Sequence, residues 1–300
     1  MKPLIVRLPN HLGDACMTLP ALDALTSGGY ALTLVGRPWA KNLFAAYEWP
    51  VVTLSGSRFE HIRTLRSIRG NLGLLMTNSF GTAREFRLAG IAAIGYARDG
   101  RSWLLRKAIS VVASDHMVEY YHRLAAALVN SLPAIPRSMQ LRISDEARQS
   151  ARDLLSAHNV QGRYIVLCPI ATGFHRGKVK AWDGFTRLNQ DLLADGRQVV
   201  AMPGPNETAA VHTALPGATV LPESDLATFA ALLAGAQLVV ANDSGPSHLA
   251  AAVGARLISI FGVTEPEKTR PWSSHARMIG SADGWPSYAE ARSAIDAALR

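Results

Sequence analysis

The sequence predicts an α/β protein made of two doubly wound domains, each a parallel sheet covered by helices. Three observations carry this expectation. Short apolar, strand-like runs alternate with helical patterns from one end of the chain to the other. Its 300 residues are long for one core and comfortable for two. Polar loops bearing glycine and proline follow the strand-like runs, and in a doubly wound sheet ligands bind at the carboxyl ends of the strands.

The strand candidates of the first half are LIVRL, ALTLV, LGLLM and AAIGY. Those of the second half are YIVLC, QVVAM, ATVL, QLVVA and RLISIF. Continuous apolar runs of this length suit strands buried on both faces. After the first strand, Gly13 permits a tight backbone path into a helix whose apolar side is Met17, Leu19, Leu22 and Leu25, with a kink expected at Pro20. Two prolines interrupt SLPAIPRSMQLRIS, a helix is expected from Asp145 to His158, and the domain boundary is placed near residue 160, giving domains 1–160 and 161–300. The closing WPSYAEARSAIDAALR reads as an amphipathic helix over 285–299, with packing back onto the first domain one arrangement open to it.

Composition limits the function classes. Hydrophobic content of 48% with 18% charged residues describes a folded protein, and no apolar run reaches the roughly 18 residues of a membrane span. The opening MKPLIVRLPNHLGD meets arginine, histidine and aspartate too early for a secretory signal, so a cytoplasmic location is expected. Cys16 and Cys168 stand among apolar neighbours and read as buried thiols, with neither a disulfide nor a metal site implied. The formal net charge of +8 asks for an anionic partner: nucleic acid, an anionic membrane surface or a phosphorylated substrate. With no Cys/His finger, aromatic-glycine RNA signature or basic tail, nucleic acid is not expected.

Four loops carry the candidate chemistry. In RLPNHLGDACMTLP, Asp14 is either a first-turn helix acid or a base aimed into a cleft between the domains. In CPIATGFHRGKVKAW, the residues Thr172, His175, Arg176, Lys178 and Lys180 form a cationic loop suited to a diphosphate, or a solvated loop; a helix is expected to begin at Trp182. In MPGPNETAA, Glu207 opens a helix and is placed to accept from ribose hydroxyls or simply to suit the helix dipole. In NDSGPSHLAAAVGA, Asp243 or Ser244 caps a helix with Pro246 in its first turn, a helix start of the kind that holds phosphate. Gly245 and His248 follow, and FGVTEPEKTRPW adds Thr264 and Lys268. No Walker loop or GxGxxG fingerprint is present, which argues against P-loop and NAD readings. On the acceptor side the candidates are Asn10, His11, Ser79, Arg63 and Arg66. The two arginines lie three apart on one predicted helix surface, which suits a phosphorylated acceptor or membrane and equally a solvated face.

These stretches resemble glycosyltransferase family 9, the bacterial heptosyltransferases of the lipopolysaccharide inner core. The resemblance rests on LGDACMTLPALDAL, PIATGFHRGKVKAW and above all NDSGPSHLAAAVGARLISIFGVTEPEKTRPW, in order along nearly the whole chain. The stretches TNSFGTAREFRLAGIAAIGYARDGRSWLL and MVEYYHRLAAAL look most like the heptosyltransferase II branch. The resemblance implies a GT-B fold, an ADP-heptose donor held by the second domain, and a lipid A core acceptor held by the first. It further implies inversion without a metal or other cofactor, at the inner face of the inner membrane. Asp14 matches the family's candidate base and Lys180 its phosphate lysine. Asp243, Ser244 and Gly245 match its nucleotide-sugar loop, and Glu207 its ribose acid. The chain departs from the branch at Ile170, where glycine is usual, in a longer, more basic loop before Lys180, and in its short extent after Trp272. Two alternatives stay open: another nucleotide-sugar donor or acceptor on the same fold, and a nucleotide-sugar-binding protein without turnover.

Overall fold

The computed structural model describes residues 1–171, 174–175 and 177–300, with the backbone alone at Phe174, His175, Lys178 and Val179. The chain forms two compact units, Met1–Pro136 and Arg137–Arg300.

The first unit runs β1 (Lys2–Arg7), α1 (Leu12–Met17), α2 (Leu19–Ser27), β2 (Tyr30–Gly36), α3 (Ala40–Leu43), β3 (Val51–Thr53), α4 (Arg58–Ser67), β4 (Leu72–Leu75), α5 (Phe80–Leu88), β5 (Ala92–Tyr96), β6 (Lys107–Ile109) and α6 (Met117–Ala125). Its sheet has the order β3-β2-β1-β4-β5-β6, every neighbour parallel. Leu4, Ile5 and Val6 are fully buried in β1, as a central strand covered on both faces requires. Val6 stands opposite Leu34 on one side and Leu74 on the other. Strand order reverses at β1 and β4, so the loops after these two strands flank the ligand-binding crevice of this topology.

The second unit repeats the plan: α7 (Asp145–Ala157), β7 (Tyr164–Cys168), the hairpin β8 (Phe174–His175) and β9 (Lys178–Val179), α8 (Phe185–Ala194), β10 (Gln198–Ala201), α9 (Thr208–Ala214), β11 (Thr219–Val220), α10 (Leu226–Gly235), β12 (Leu238–Asn242), α11 (Gly245–Ala252), β13 (Leu257–Ile260), α12 (Pro266–Thr269), β14 (Ala276–Ile279) and α13 (Tyr288–Leu299). The main sheet is parallel in the order β11-β10-β7-β12-β13-β14, with the reversal at β7 and β12. The expected α/β class and all nine strand candidates are present. Five short strands escaped the sequence reading: β3, β6 and β14, because three or four residues at a sheet edge carry little periodicity, and the two-residue hairpin strands β8 and β9.

Four details differ from expectation. The division of the chain falls at Pro136 rather than near residue 160. The segment before β7 belongs to the second unit, since Met139 N–H donates to Trp272 O, Leu141 N–H to Ala252 O, and α7 packs on α10. The terminal helix α13 packs in the second unit, where Ala291, Ala294 and Ile295 lie in the core with Leu188, Val240 and Ile260. Pro20 does not kink a continuous helix: α1 stops at Met17 and α2 starts afresh after Thr18, with Pro20 in its first turn, where the missing N–H costs nothing. The helix expected from Trp182 begins three residues later, as α8.

Candidate active site

In the second unit the site is built from Asn242, the last residue of β12. Its side chain is fully buried and uses both ends: Oδ1 accepts from Trp182 N–H at 3.0 Å, and Nδ2 donates to Pro169 O at 2.7 Å. One amide therefore ties both ends of the loop from β7 to α8 against the neighbouring strand. Lys180, two residues before Trp182, is carried by this loop.

The next residue, Asp243, is a buried carboxylate at the centre of a cluster. Thr264 Oγ1 donates to its Oδ2 at 2.6 Å, Lys180 Nζ lies 3.6 Å from Oδ2, and His248 Nε2 lies 3.9 Å from Oδ1. Burying a carboxylate is costly unless it is paired and hydrogen-bonded, and Asp243 has both. The structure thus gathers Lys180, Asp243, His248 and Thr264 from three separate stretches of sequence. Lys268 is not among them; its exposed ammonium pairs with Glu265 at 2.6 Å.

Ser244 occupies the N-cap of α11, but its hydroxyl does not cap the helix. It donates back to Asn242 O at 3.2 Å, while Ser247 Oγ accepts from Ser244 N–H at 3.3 Å. The acid expected as an alternative cap, Asp243, is turned to Thr264. Gly245 opens the helix and Pro246 follows without an N–H. The positive end of α11 therefore stands beside Lys180, a pairing suited to anionic groups.

Glu207 sits at the N-cap of α9, and its Oε2 accepts from Gly204 N–H at 3.1 Å. Burial, with this carboxylate nearby, pushes the Cys168 thiol at the end of β7 up to about 12, so Cys168 stays a neutral packing group. Thr172 and Arg176 lie outside the described residues.

The first unit presents a different arrangement. Asp14 is in the first turn of α1, directly after β1, and Tyr121 Oη from α6 donates to its Oδ1 at 3.3 Å. Burial first and the Asp14 charge second hold the Tyr121 phenol well above its ordinary value, so it remains a donor. Helix α6 packs on both α1 and α2, which brings this tyrosine to the acid across 107 residues of chain. Asn10 is exposed and accepts from Arg7 Nη2 at 2.8 Å; His11 is the exposed N-cap residue of α1.

After β4, Ser79 caps α5 by accepting from Thr82 N–H. Its neighbour Asn78 accepts from Tyr120 Oη at 3.0 Å and from Arg101 Nη2 at 3.3 Å. Arg101 is fully buried, and its Nε donates to Tyr96 O at 3.0 Å and its Nη1 to Thr77 O at 2.5 Å. A buried guanidinium held by neutral acceptors places a positive field behind this edge.

The expected arginine pair divides. Arg63 is exposed on α4, while Arg66 donates to Leu88 O at the far end of α5 from Ser79, and Arg69 lies beyond the helix. Arg66 therefore does not join the edge that carries Asp14. Arg58, in the first turn of α4, holds its guanidinium beside Gly81 at the start of α5. Sequence reading missed Arg58, Asn78, Arg101 and Tyr121. The doublet Tyr120-Tyr121 in α6 was the one signal present; the contacts themselves are long-range and leave no local pattern.

Among the described residues, no three His, Cys, Asp or Glu side chains gather to hold a metal ion.

Residues 58–294 match the family described as glycosyltransferase family 9 (heptosyltransferase). Lipopolysaccharide heptosyltransferase 3 of Escherichia coli is 37% identical over 130 residues, which cover 40% of this chain and 37% of that protein. Lipopolysaccharide heptosyltransferase 2 of Escherichia coli strain K12 is 28% identical over 254 residues, 77% of this chain and 70% of that protein. The solved structure of E. coli ADP-heptose lps heptosyltransferase II superposes with a TM-score of 0.81 and 23% identity, over 100% of this chain and 98% of that one. This likeness shows the fold, GT-B.

Proposed function

The chain belongs to glycosyltransferase family 9, and from that premise we propose that it transfers heptose from ADP-heptose to an inner-core lipopolysaccharide acceptor, with inversion and without a metal, at the cytoplasmic face of a membrane. The observation that carries this reading is the cluster of Lys180, Asp243, His248 and Thr264 at the positive end of α11, at the strand-order reversal of the second unit. The similar proteins are heptosyltransferases by name, and one is named for ADP-heptose.

In this mechanism the acceptor hydroxyl loses its proton to Asp14, whose Oδ1 is occupied by Tyr121. Its oxygen attacks the anomeric carbon from the face opposite the diphosphate. As the bond to ADP breaks, negative charge grows on the diphosphate oxygens. Lys180 leaves Asp243 for those oxygens, and the backbone N–H groups at Ser244 and Gly245 add to the helix dipole, supplying the counter-charge. Glu207 accepts from the ribose. His248 and Thr264 keep the Asp243 carboxylate in place while its lysine partner moves. Asn10, His11 and Ser79 line the acceptor side.

Titration calorimetry with ADP, UDP and GDP in EDTA tests the donor. Binding of ADP alone, followed by transfer from ADP-heptose in the same buffer, is the expected result. Preference for UDP or GDP, or a need for added metal, overturns it.

A further inference from the structure

Charge and exposed apolar surface are both unevenly shared. The first unit holds fifteen Lys and Arg against eight Asp and Glu, a net of +7, whereas the second holds sixteen against fifteen, a net of +1. Ten of the basic residues and three of the acidic ones fall between positions 58 and 107. Among the described residues, every large hydrophobic side chain that stands exposed is also in the first unit: Met1, Phe59, Phe80, Leu88, Trp103 and Val112.

Three of these six are aromatic, and they follow three strands of the one parallel sheet: β4 and β5, which are neighbours, and β3 at its edge. Phe59, 86% exposed, lies in the first turn of α4 after β3; Phe80, 39% exposed, opens α5 after β4; Trp103, 70% exposed, is in a 3₁₀ turn (Ser102–Leu104) after β5. All three therefore sit at the carboxyl edge of the sheet, the edge that also carries Asp14. The rings of Phe80 and Trp103 touch at a centroid distance of 6.1 Å, and Arg58, beside Phe59 in the chain, reaches the start of α5. Arg98, exposed after β5, adds a second cation to this edge. Exposed aromatic rings amid a strongly positive surface are what an interfacial protein presents to an anionic bilayer. No helix among the described residues is long and apolar enough to cross a membrane, so such contact is made from the surface.

We propose that Phe59, Phe80 and Trp103 form a membrane-docking edge that enters the headgroup region of an anionic bilayer, with Arg58 and Arg98 on its lipid phosphates. Docking by this edge would hold the first unit with Asp14 facing the lipid that bears the acceptor. The role deepens the proposed function and rests on it for its purpose, while the docking itself is read without any transfer reaction.

The test is flotation of the full chain with vesicles of equal parts phosphatidylglycerol and phosphatidylethanolamine, against vesicles of phosphatidylcholine alone. The chain is expected to float with the anionic vesicles and to be released by high salt. A Phe59→Ser, Trp103→Ser double variant, whose folding is checked by circular dichroism and by unchanged ADP affinity, is expected to partition at least about tenfold more weakly, the scale set by withdrawing two rings from apolar surroundings. Quenching of tryptophan by brominated lipid should fall in Trp103→Phe while flotation persists. Flotation of the double variant equal to that of the parent chain overturns the proposal. It is equally overturned if vesicle binding is unchanged and the variant instead fails on a deacylated, water-soluble acceptor, since the rings would then hold sugar. Failure of ADP binding with docking intact would remove the proposed donor and leave the docking edge standing.

Discussion

The two units share one strand order and differ in what they place at its carboxyl edge. The second gathers a buried carboxylate, histidine and threonine with a half-buried lysine in one cluster and stitches the supporting loop down with a single amide. The first keeps one acid and one tyrosine together after β1 and exposes arginines and aromatic rings after other strands of the same sheet. A common topology thus supplies two crevices, and their side chains alone make them chemically different.

Substitutions can break this division of labour, beginning with the largest expected effect. Asp14→Asn should lower kcat by about 10²- to 10⁴-fold, the range of general-base assistance, while calorimetric ADP affinity stays as it was. A loss of ADP binding in that variant would contradict the separation of roles. Lys180→Ala should lower kcat by about 10²- to 10³-fold, as removal of an oxyanion donor does, and should weaken ADP binding as well. Turnover left intact would end the diphosphate role of this lysine.

Asn242→Ala leaves two buried backbone groups, Trp182 N–H and Pro169 C=O, without their present partner, so the chain should be destabilised by roughly 2–4 kcal/mol in denaturant titration. Tyr121→Phe should lower kcat severalfold, by about 1 kcal/mol of barrier, with donor KM unchanged. An equal rise in both Michaelis constants and a lower Tm would reduce Tyr121 to a packing residue.

The smallest effect expected is one of pH. The buried thiol of Cys168 is raised in the folded state from 9.0 to about 12. Its folded form therefore favours the proton, its contribution to stability is full below the unfolded value near 9, and that contribution is lost as pH rises toward the folded value. Denaturant midpoints measured across this range should fall less steeply in Cys168→Ala.

Much of the fold was readable because each central strand is a continuous run of β-branched or aliphatic residues, as in YIVLC and QLVVA. Edge strands such as Thr219–Val220 make fewer pairings and need fewer apolar residues, and ATVL was read from its place in the alternation of apolar runs with helical patterns. The boundary was misplaced for a related reason. The segment from Arg137 to Leu141 is held by backbone bonds to Trp272 and Ala252, and a backbone bond leaves no mark on the residues that make it.

The site divides in the same way. NDSGPSHLAAAVGA announced itself through the unusual polar residues between a buried strand and a small-residue helix, and Asp14 through its place after the first strand. From sequence alone come the α/β class, the acid at the first loop, the lysine at the fifth strand-like run and the residues at the start of α11, because local periodicity and helix-start chemistry act over a few neighbouring positions. The tertiary structure decided which of them meet: that Asp243 answers Thr264 and Lys180 rather than capping its helix, that Tyr121 reaches Asp14, that Arg66 points to the wrong end of α5, and that three aromatic rings share one exposed edge. Those outcomes depend on which strands lie side by side and how deeply each charge is buried, and both are set by packing across long stretches of chain.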